Sequence, residues 1–532
     1  MKGRITIAVL LILVAVLGCV AELCGWLLPT ISWPFTVSRE MSILSAPAEC
    51  CPWLAVGERF HWFGWLCMLL LLPVAGYLLL RDSSSMRVAP AIAKRWAQFR
   101  KLRRGYWSLL ILLGLMLLAA LDQTLVGKRA LLVCHGDNVY MPAFSRDIYT
   151  GAEFGLTGNE AMAEADYRKL KELSGQPGMP SLVLMPLIPF DATVDAAPFP
   201  TERLPMVLGK VYEPDRTTLY NGQACRLYPD GRVHLRVRYR RGVPDGHVQG
   251  WDAEGKEVYS ATYKAGKLKS RHYLGEGRVE TFIAQTPEED IRRVFYHPAP
   301  PLTGGHLLGT NSQGADIAAY LFGGLQVNFK AALLYLPVIY CIGLTCGMLM
   351  GYFAGKFDLV TQRIIEVFSQ LPFLFVVMIL NDFVPHEMRG MFLILCLLSA
   401  FGWIHITYLV RTATMKEKAR DYVAAARVMG GGTIHILLRH ILPNLAGIIV
   451  TLLPFSLAAV VLSLASLDYL GFGLPDTYAS WGRLLNDGLS KLSSPWVVSS
   501  AFFSLVLVLV LVTFVGEAIR EAVDPRRHTY YE

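Results

Sequence analysis

Long apolar runs alternate with short polar segments along this chain, and that alternation predicts its elements. Eight runs are long enough, or nearly so, to cross a bilayer core, which takes roughly 20 helical residues. They lie at Ile5–Leu28, Trp62–Leu80, Tyr106–Val126, Ala331–Tyr352, Ile364–Val384, Met391–Val410, Leu445–Leu467 and Trp496–Ile519. Residues 128–306, between the third and fourth runs, read differently, with short apolar stretches, turn signals such as Gly175-Gln176-Pro177-Gly178, and alternating positions. From about 220 a repeat emerges with an offset of 24 residues, at Asp230/Glu254, Gly231/Gly255, Tyr239/Tyr263 and Gly242/Gly266. Each unit predicts a hairpin: an acid–Gly turn, then polar/apolar alternation over a half-buried strand. The fold class expected is an all-α polytopic membrane protein of about eight transmembrane helices, with a β-rich domain inserted between helices 3 and 4.

Composition sharpens this picture. The 532 residues are 53% hydrophobic and only 17% charged, against about a quarter charged in a soluble protein. Residues 128–306 carry 23 Lys/Arg and 22 Asp/Glu, 45 of the chain's 92 charges. One polar domain is therefore embedded in a membrane protein, which excludes a disordered chain, a disulfide miniprotein and a cytosolic enzyme. The net charge of +8 does not mark a nucleic-acid binder, because the polar domain is nearly neutral and the excess lies in short loops between apolar runs.

Those loops set the orientation. With the N-terminus inside, segments 1–4, 81–105, 353–363, 411–444 and 520–532 face the cytoplasm and hold 21 Lys/Arg, against six in the external segments outside the large domain. Residues 128–306 are then external, and both termini cytoplasmic. The first run has a rival reading as a lipoprotein signal with Cys19 acylated, against which its apolar stretch continues through Trp26-Leu27-Leu28. Cys134 and Cys225 fall outside the spans, where a disulfide between them is possible.

No motif for chain-borne catalysis is complete in the sequence. Gly351-Tyr352-Phe353-Ala354-Gly355-Lys356-Phe357 has three residues between its glycines where a phosphate loop needs four, and no Ser or Thr for magnesium. His386-Glu387 has Gly390 where a zinc-binding helix needs its second His. His405 reads as a packed helix–helix hydrogen bonder rather than a proton relay, and Glu366 and Asp468 sit near span ends. No catalytic residue and no metal site is expected.

Residues 411–444 are the informative loop. Lys416 to Met429 is polar and basic around Ala424-Ala425-Ala426 and predicts a helix outside the bilayer, broken by Gly430-Gly431-Gly432. Thr433 is expected to cap a second short helix that Leu442-Pro443 ends. Asp421-Tyr422-Val423-Ala424-Ala425-Ala426-Arg427-Val428-Met429-Gly430, followed by Arg439-His440-Ile441-Leu442-Pro443-Asn444, resembles the EAA coupling loop of ABC importer permeases, with Asp421 where Glu is usual.

Further segments match in order. Leu307-Leu308-Gly309-Thr310-Asn311-Ser312-Gln313-Gly314-Ala315-Asp316 resembles the Leu-Gly-Thr-Asp-x-x-Gly-Arg-Asp segment of peptide permeases, departing at Asn311 and Ala315. Gly351–Asp358 resembles the family's Gly-Tyr-x-Gly-Gly-x-x-Asp turn, with Ala354 in place of a Gly. Ser466–Pro475 and Gly516–Pro525 resemble its last external loop and C-terminus, and Arg95–Arg100 with Arg103–Leu109 resembles the start of the microcin C-type peptide permease. The hairpin units near 220–280 are similar to MORN-type repeats. The resemblance covers roughly 94–200 and 298–527; residues 1–93, with two extra spans, and the repeat region near 205–297 have no counterpart in it.

The resemblance implies four parts: an extension, 1–93; a first core helix with its basic lead-in, 94–127; a periplasmic domain, 128–306; and the permease domain, 307–532. It implies a type I importer core of six helices in the bacterial inner membrane. The docking residues it implies are Asp421, Ala425, Ala426, Gly430, Ile441, Leu442 and Pro443, with Ala425, Ala426 and Gly430 foremost. The partners implied are a second permease, two ATP-binding subunits that use ATP and magnesium, an external peptide-binding protein, and lipid. This chain has no cofactor of its own. The rival functions are a permease for a non-peptide or exported substrate, and a non-transporting scaffold that displays the repeats.

Overall fold

The computed structural model describes residues 2–26, 31–36, 61–80, 90–193, 195, 200–228, 233–252, 255–273, 291–384 and 389–523. Two compact units divide the chain: residues 1–194, 319–490 and 498–532 form one, and 195–318 with 491–497 the other. The stretch expected as one polar domain, 128–306, is thus shared between them.

The first unit is mainly helical. Besides two short helices, Asn159–Met162 and Tyr167–Leu173, its helices are α1 (Lys2–Cys24), α2 (His61–Leu80), α3 (Pro90–Lys101), α4 (Arg103–Ala120), α5 (Ile317–Phe353), α6 (Gly355–Gln370), α7 (Phe373–Phe383), α8 (Met391–Lys418), α9 (Asp421–Val428), α10 (Thr433–Ile436), α11 (Leu442–Tyr469), α12 (Trp481–Ser490) and α13 (Pro495–Val523). Among the described residues, five stretches are long and apolar enough to cross a membrane: α4, α5, α8, the continuous stretch Thr433–Tyr469, and α13. The run expected as one span at 364–384 is broken. Its halves, in α6 and α7, meet at a 69° bend, and counted together they make a sixth span. Pro372 is the cause, since it lacks an N–H and forces Leu371 out of the helical region to ψ 121°. The two N-terminal runs form α1, of 23 residues, and α2, of 20.

Close packing of α5 on α8 rests on three glycines spaced by four. A Cβ on Gly347 would lie 2.7 Å from the Thr407 carbonyl oxygen, and one on Gly351 would lie 2.7 Å from that of Arg411. Gly343 meets Ile406 in the same way, at 2.8 Å. Small residues at this spacing let membrane helices approach backbone to backbone.

A small subdomain of this unit follows α4. Strands β1 (Leu132–His135), β2 (Asn138–Tyr140) and β3 (Leu182–Leu184) form a sheet in the order β2-β1-β3, packed with Phe154, Tyr167 and Leu170. The end of α1 is tied to it: Arg146 bonds Glu22 at 2.5 Å, and the Arg146 N–H donates to the Gly25 carbonyl.

The second unit holds a seven-stranded antiparallel sheet in the order β11-β10-β9-β8-β7-β12-β4. Its strands are β4 (Thr201–Arg203), β7 (Gly222–Leu227), β8 (Val233–Arg240), β9 (Val243–Trp251), β10 (Glu257–Lys264), β11 (Lys267–Tyr273) and β12 (Ile291–Val294), and a separate hairpin pairs β5 (Met206–Val207) with β6 (Lys210–Val211). The 24-residue period recurs in the turns. Arg241-Gly242 and Ala265-Gly266 both have positive φ at their two positions, the type I′ geometry that matches strand twist. Val237, Val248 and Ala261 pair across neighbouring strands and are buried, while Arg236, Gln249 and Ser260 pair across the opposite face. Cys134 and Cys225 are both free thiols, so the possible disulfide is not formed. The acid–Gly turns at 230–231 and 254–255 and the third repeat unit at 276–279 lie wholly or partly outside the described residues.

Candidate coupling site

The loop after α8 is built by local rules. Arg420 adopts extended geometry at the N-cap, and Asp421 places a carboxylate in the first turn of α9, where the helix dipole favours it. Gly430, at φ +83°, closes α9: the Gly431 N–H donates to the Ala426 carbonyl and the Gly430 N–H to that of Arg427, a Schellman pair. Gly431 is needed for space, because a Cβ there would sit 2.8 Å from the Ala426 carbonyl oxygen.

Beyond the glycines the expected geometry changes. Thr433 does not cap; Gly432 occupies the N-cap, and no side chain bonds there. The helix does not stop at Leu442-Pro443 either. It passes from α10 through a π turn, Leu437–Ile441, into α11, with Pro443 in the first turn of that helix. The wider π turn takes up the missing hydrogen bond and the proline ring, so a residue that would break an ordinary helix is carried through.

The expected docking residues separate into two sets. Asp421, Ala425, Gly430 and Pro443 are exposed. Ala426, 4% exposed, and Ile441 are buried in the chain's own core, and Leu442 packs partly against it. Ala426 and Ile441 therefore pack the loop on its own protein. Three apolar side chains that the motif does not mark stand out instead: Val428 at 89% exposure, Met429 at 80% and Ile434 at 73%.

Side chains beneath the loop fix its position. Tyr422 donates to Glu417 at 2.8 Å, and Arg420 bonds the other oxygen of that carboxylate. Burial, then the Glu417 carboxylate, push the Tyr422 phenol above its ordinary pKa. The buried ring of Tyr352, at the end of α5, has Lys418 5.7 Å and Arg427 5.5 Å from its centroid, so the root and tip of the loop share one aromatic anchor. Six residues on, Asp358 takes a two-pronged bond from Arg411 of α8. That acid ends the Gly351–Asp358 turn, which is thereby explained as the tie between α6 and α8.

Two other motif segments are organised by acids. The Asp468 carboxylate accepts from the Leu474 N–H at 2.6 Å and from the Ser480 hydroxyl, and Gly473 is small because a Cβ would strike it. In the second unit, Asn311 Oδ1 accepts from the Gln313 and Ala315 N–H groups, so the amide makes the turn that an acid would make. The departure at Ala315 is answered by His306, whose Nδ1 lies 2.9 Å from buried Asp316. Among the described residues no group of three or more His, Cys, Asp or Glu is placed to hold a metal ion.

The first unit is thus a helical membrane domain with a braced loop between two of its spans. Residues 343–529 match the family described as binding-protein-dependent transport system inner membrane component. The peptidoglycan transport system permease protein YejE of Agrobacterium fabrum is 37% identical over 43% of this chain and 60% of its own length. The inner membrane ABC transporter permease protein YejE of Escherichia coli is 28% identical over 83% of this chain and 99% of its own. The oligopeptide transport system permease protein OppC of Haemophilus influenzae is 31% identical over 45% and 76%. The chain belongs to the family of binding-protein-dependent transport inner membrane components. Against the Agrobacterium relative it spans less than two thirds of the curated length.

Proposed function

We propose that this chain is a permease subunit of an ATP-driven peptide importer in a bacterial inner membrane, working with a second permease, two ATP-binding subunits and an external peptide-binding protein. The observation that carries this reading is the loop 419–434: Val428, Met429 and Ile434 project from a base that Tyr352, Glu417 and Asp358 hold in place. Exposed apolar side chains on a rigid helix suit insertion into a partner's groove. ATP and magnesium belong to the partner subunits. Closure of the ATPase pair moves the loop and switches the helix bundle between two states. The names of the relatives, with peptidoglycan in one and oligopeptide in another, favour a peptide-bearing substrate.

The termini lie in the cytoplasm and residues 128–306 in the periplasm. The tie from Glu22, near the end of α1, to the subdomain after α4 supports that topology, since both helices then run outward. Residues 221–273 hold eleven Lys/Arg against five Asp/Glu, which suits the repeat sheet to guide an acidic face of the binding protein. Deletion of 205–297 that leaves binding-protein affinity unchanged refutes that role.

The central test is ATPase activity of the reconstituted complex, stimulated by binding protein and peptide. Met429→Glu places a charge where no neighbour in this chain is needed, and is expected to remove stimulation while assembly of the spans persists. Stimulation indifferent to Met429→Glu and Val428→Glu alike removes the loop from the coupling role.

A further inference from the structure

Four membrane helices of the first unit, α4, α5, α11 and α13, line an open-sided cavity of about 410 Å³. Leu112 and Met116 of α4, Leu333 of α5, Leu457 of α11 and Val512 of α13 are among its walls. Two prolines, Pro337 and Pro454, also line it, each inside its helix. Proline supplies no N–H to the carbonyl four residues back, and its ring crowds that turn.

One lining side chain is polar. Asn328 is 8% exposed; its Nδ2 donates to the Gly324 carbonyl at 2.8 Å, and its Oδ1 has no hydrogen-bond partner. A buried amide oxygen without a donor is costly anywhere, and most of all among hydrocarbon. The cavity therefore offers one acceptor, Asn328 Oδ1, on an apolar wall with no charge. Pockets of this size and character hold small ligands oriented by a few polar groups.

We propose that this cavity binds an uncharged membrane amphiphile, an acylglycerol-type lipid whose hydroxyl donates to Asn328 Oδ1 while its chain lies against α4 and α13. A charged headgroup would be desolvated here without a counter-ion. A peptide would bring many backbone donors and acceptors to a wall that can satisfy only one, so this is not the peptide's path. The site rests on helix packing alone and stands whether or not the transported substrate is a peptide.

The test uses the assembled complex in lipid nanodiscs with a diazirine-bearing monoacylglycerol, the label being mapped by mass spectrometry. Label is expected on residues 109–119 and 325–337. Unlabelled monooleoylglycerol should compete about fivefold better than methyl oleate, which has the same chain and no hydroxyl; that ratio is about 1 kcal/mol, one hydrogen bond. Asn328→Leu should erase the difference between the competitors while chain labelling persists, and Leu333→Trp, which fills the space, should abolish labelling. Equal competition in the wild type, or labelling untouched by Leu333→Trp, overturns the proposal. So does protection of the cavity by the second permease rather than by lipid, which would make it a subunit interface.

Discussion

Arg411 grips Asp358 through two parallel hydrogen bonds, Nε to Oδ1 and Nη2 to Oδ2, each 2.5 Å long. The pair joins α8 to α6 directly behind the loop that α8 leads into. Asp358 is 8% exposed and Arg411 22%, so removing either partner strands a charge out of water. Asp358→Asn or Arg411→Met is expected to cost about 3 kcal/mol, at the low end for a buried pair because the arginine is partly wet. Arg411→Lys should not rescue, since an ammonium lacks the fork. The double variant Asp358→Leu/Arg411→Met should be milder than either single. Unfolding midpoints in detergent check this ordering, and four equal midpoints would sink it.

Strain sits four residues earlier. Ala354 adopts φ +53° and ψ −160°, a region that only glycine enters freely. The sequence holds Ala where the resembling family turn has Gly, and the backbone shows what that substitution costs. Ala354→Gly is expected to stabilise the protein by about 1 kcal/mol, the strain released less the entropy glycine adds to the unfolded chain. A lowered unfolding midpoint would mean that the turn relaxes around alanine at no cost.

Much of this was legible in the sequence because apolar length and motif spacing are local signals. The helices, the loop, the break at the glycines and the hairpin period all follow from such signals. Pro372 and Pro443 were not legible in the same way. One bends an apolar run into two helices, and the other is carried through a helix by a π turn; hydropathy cannot tell these apart. Ala425 and Ala426 are identical in sequence, and only packing shows that one faces out and the other in. Val428 and Met429 read as ordinary apolar residues until their exposure is seen. The Gly343, Gly347, Gly351 spacing was present in the sequence as a small-residue repeat and marks the α5–α8 seam.

The three loop glycines answer to different constraints and should separate in experiment. Gly430 has positive φ and open space, so Gly430→Ala is expected to cost about 1 kcal/mol through backbone strain alone. Gly431 has ordinary φ but no room, so Gly431→Ala must push α9 off its last hydrogen bond and should lower stimulated ATPase activity the most. Gly432, with φ −67° and nothing within 4 Å, should accept alanine almost silently. Equal losses at all three would mean that loop flexibility, rather than this geometry, is what the glycines supply.

Glu164 gives the subdomain after α4 a dependence on pH. Partial burial raises its pKa, but bonds from Lys128 at 2.7 Å and Arg129 at 2.8 Å outweigh that and hold it below its ordinary value of 4.5. A depressed acid contributes stability that is fully present above its unfolded pKa and is lost as pH falls through the folded one. The contribution therefore stands at neutral pH and fades as pH falls from the ordinary value of 4.5 through the lowered one. Amide exchange at β1 and its flanks should accelerate there in the wild type. Glu164→Gln should show the faster exchange already at neutral pH, with a flatter acid dependence. An unchanged acid profile in Glu164→Gln would assign that sensitivity to other carboxylates.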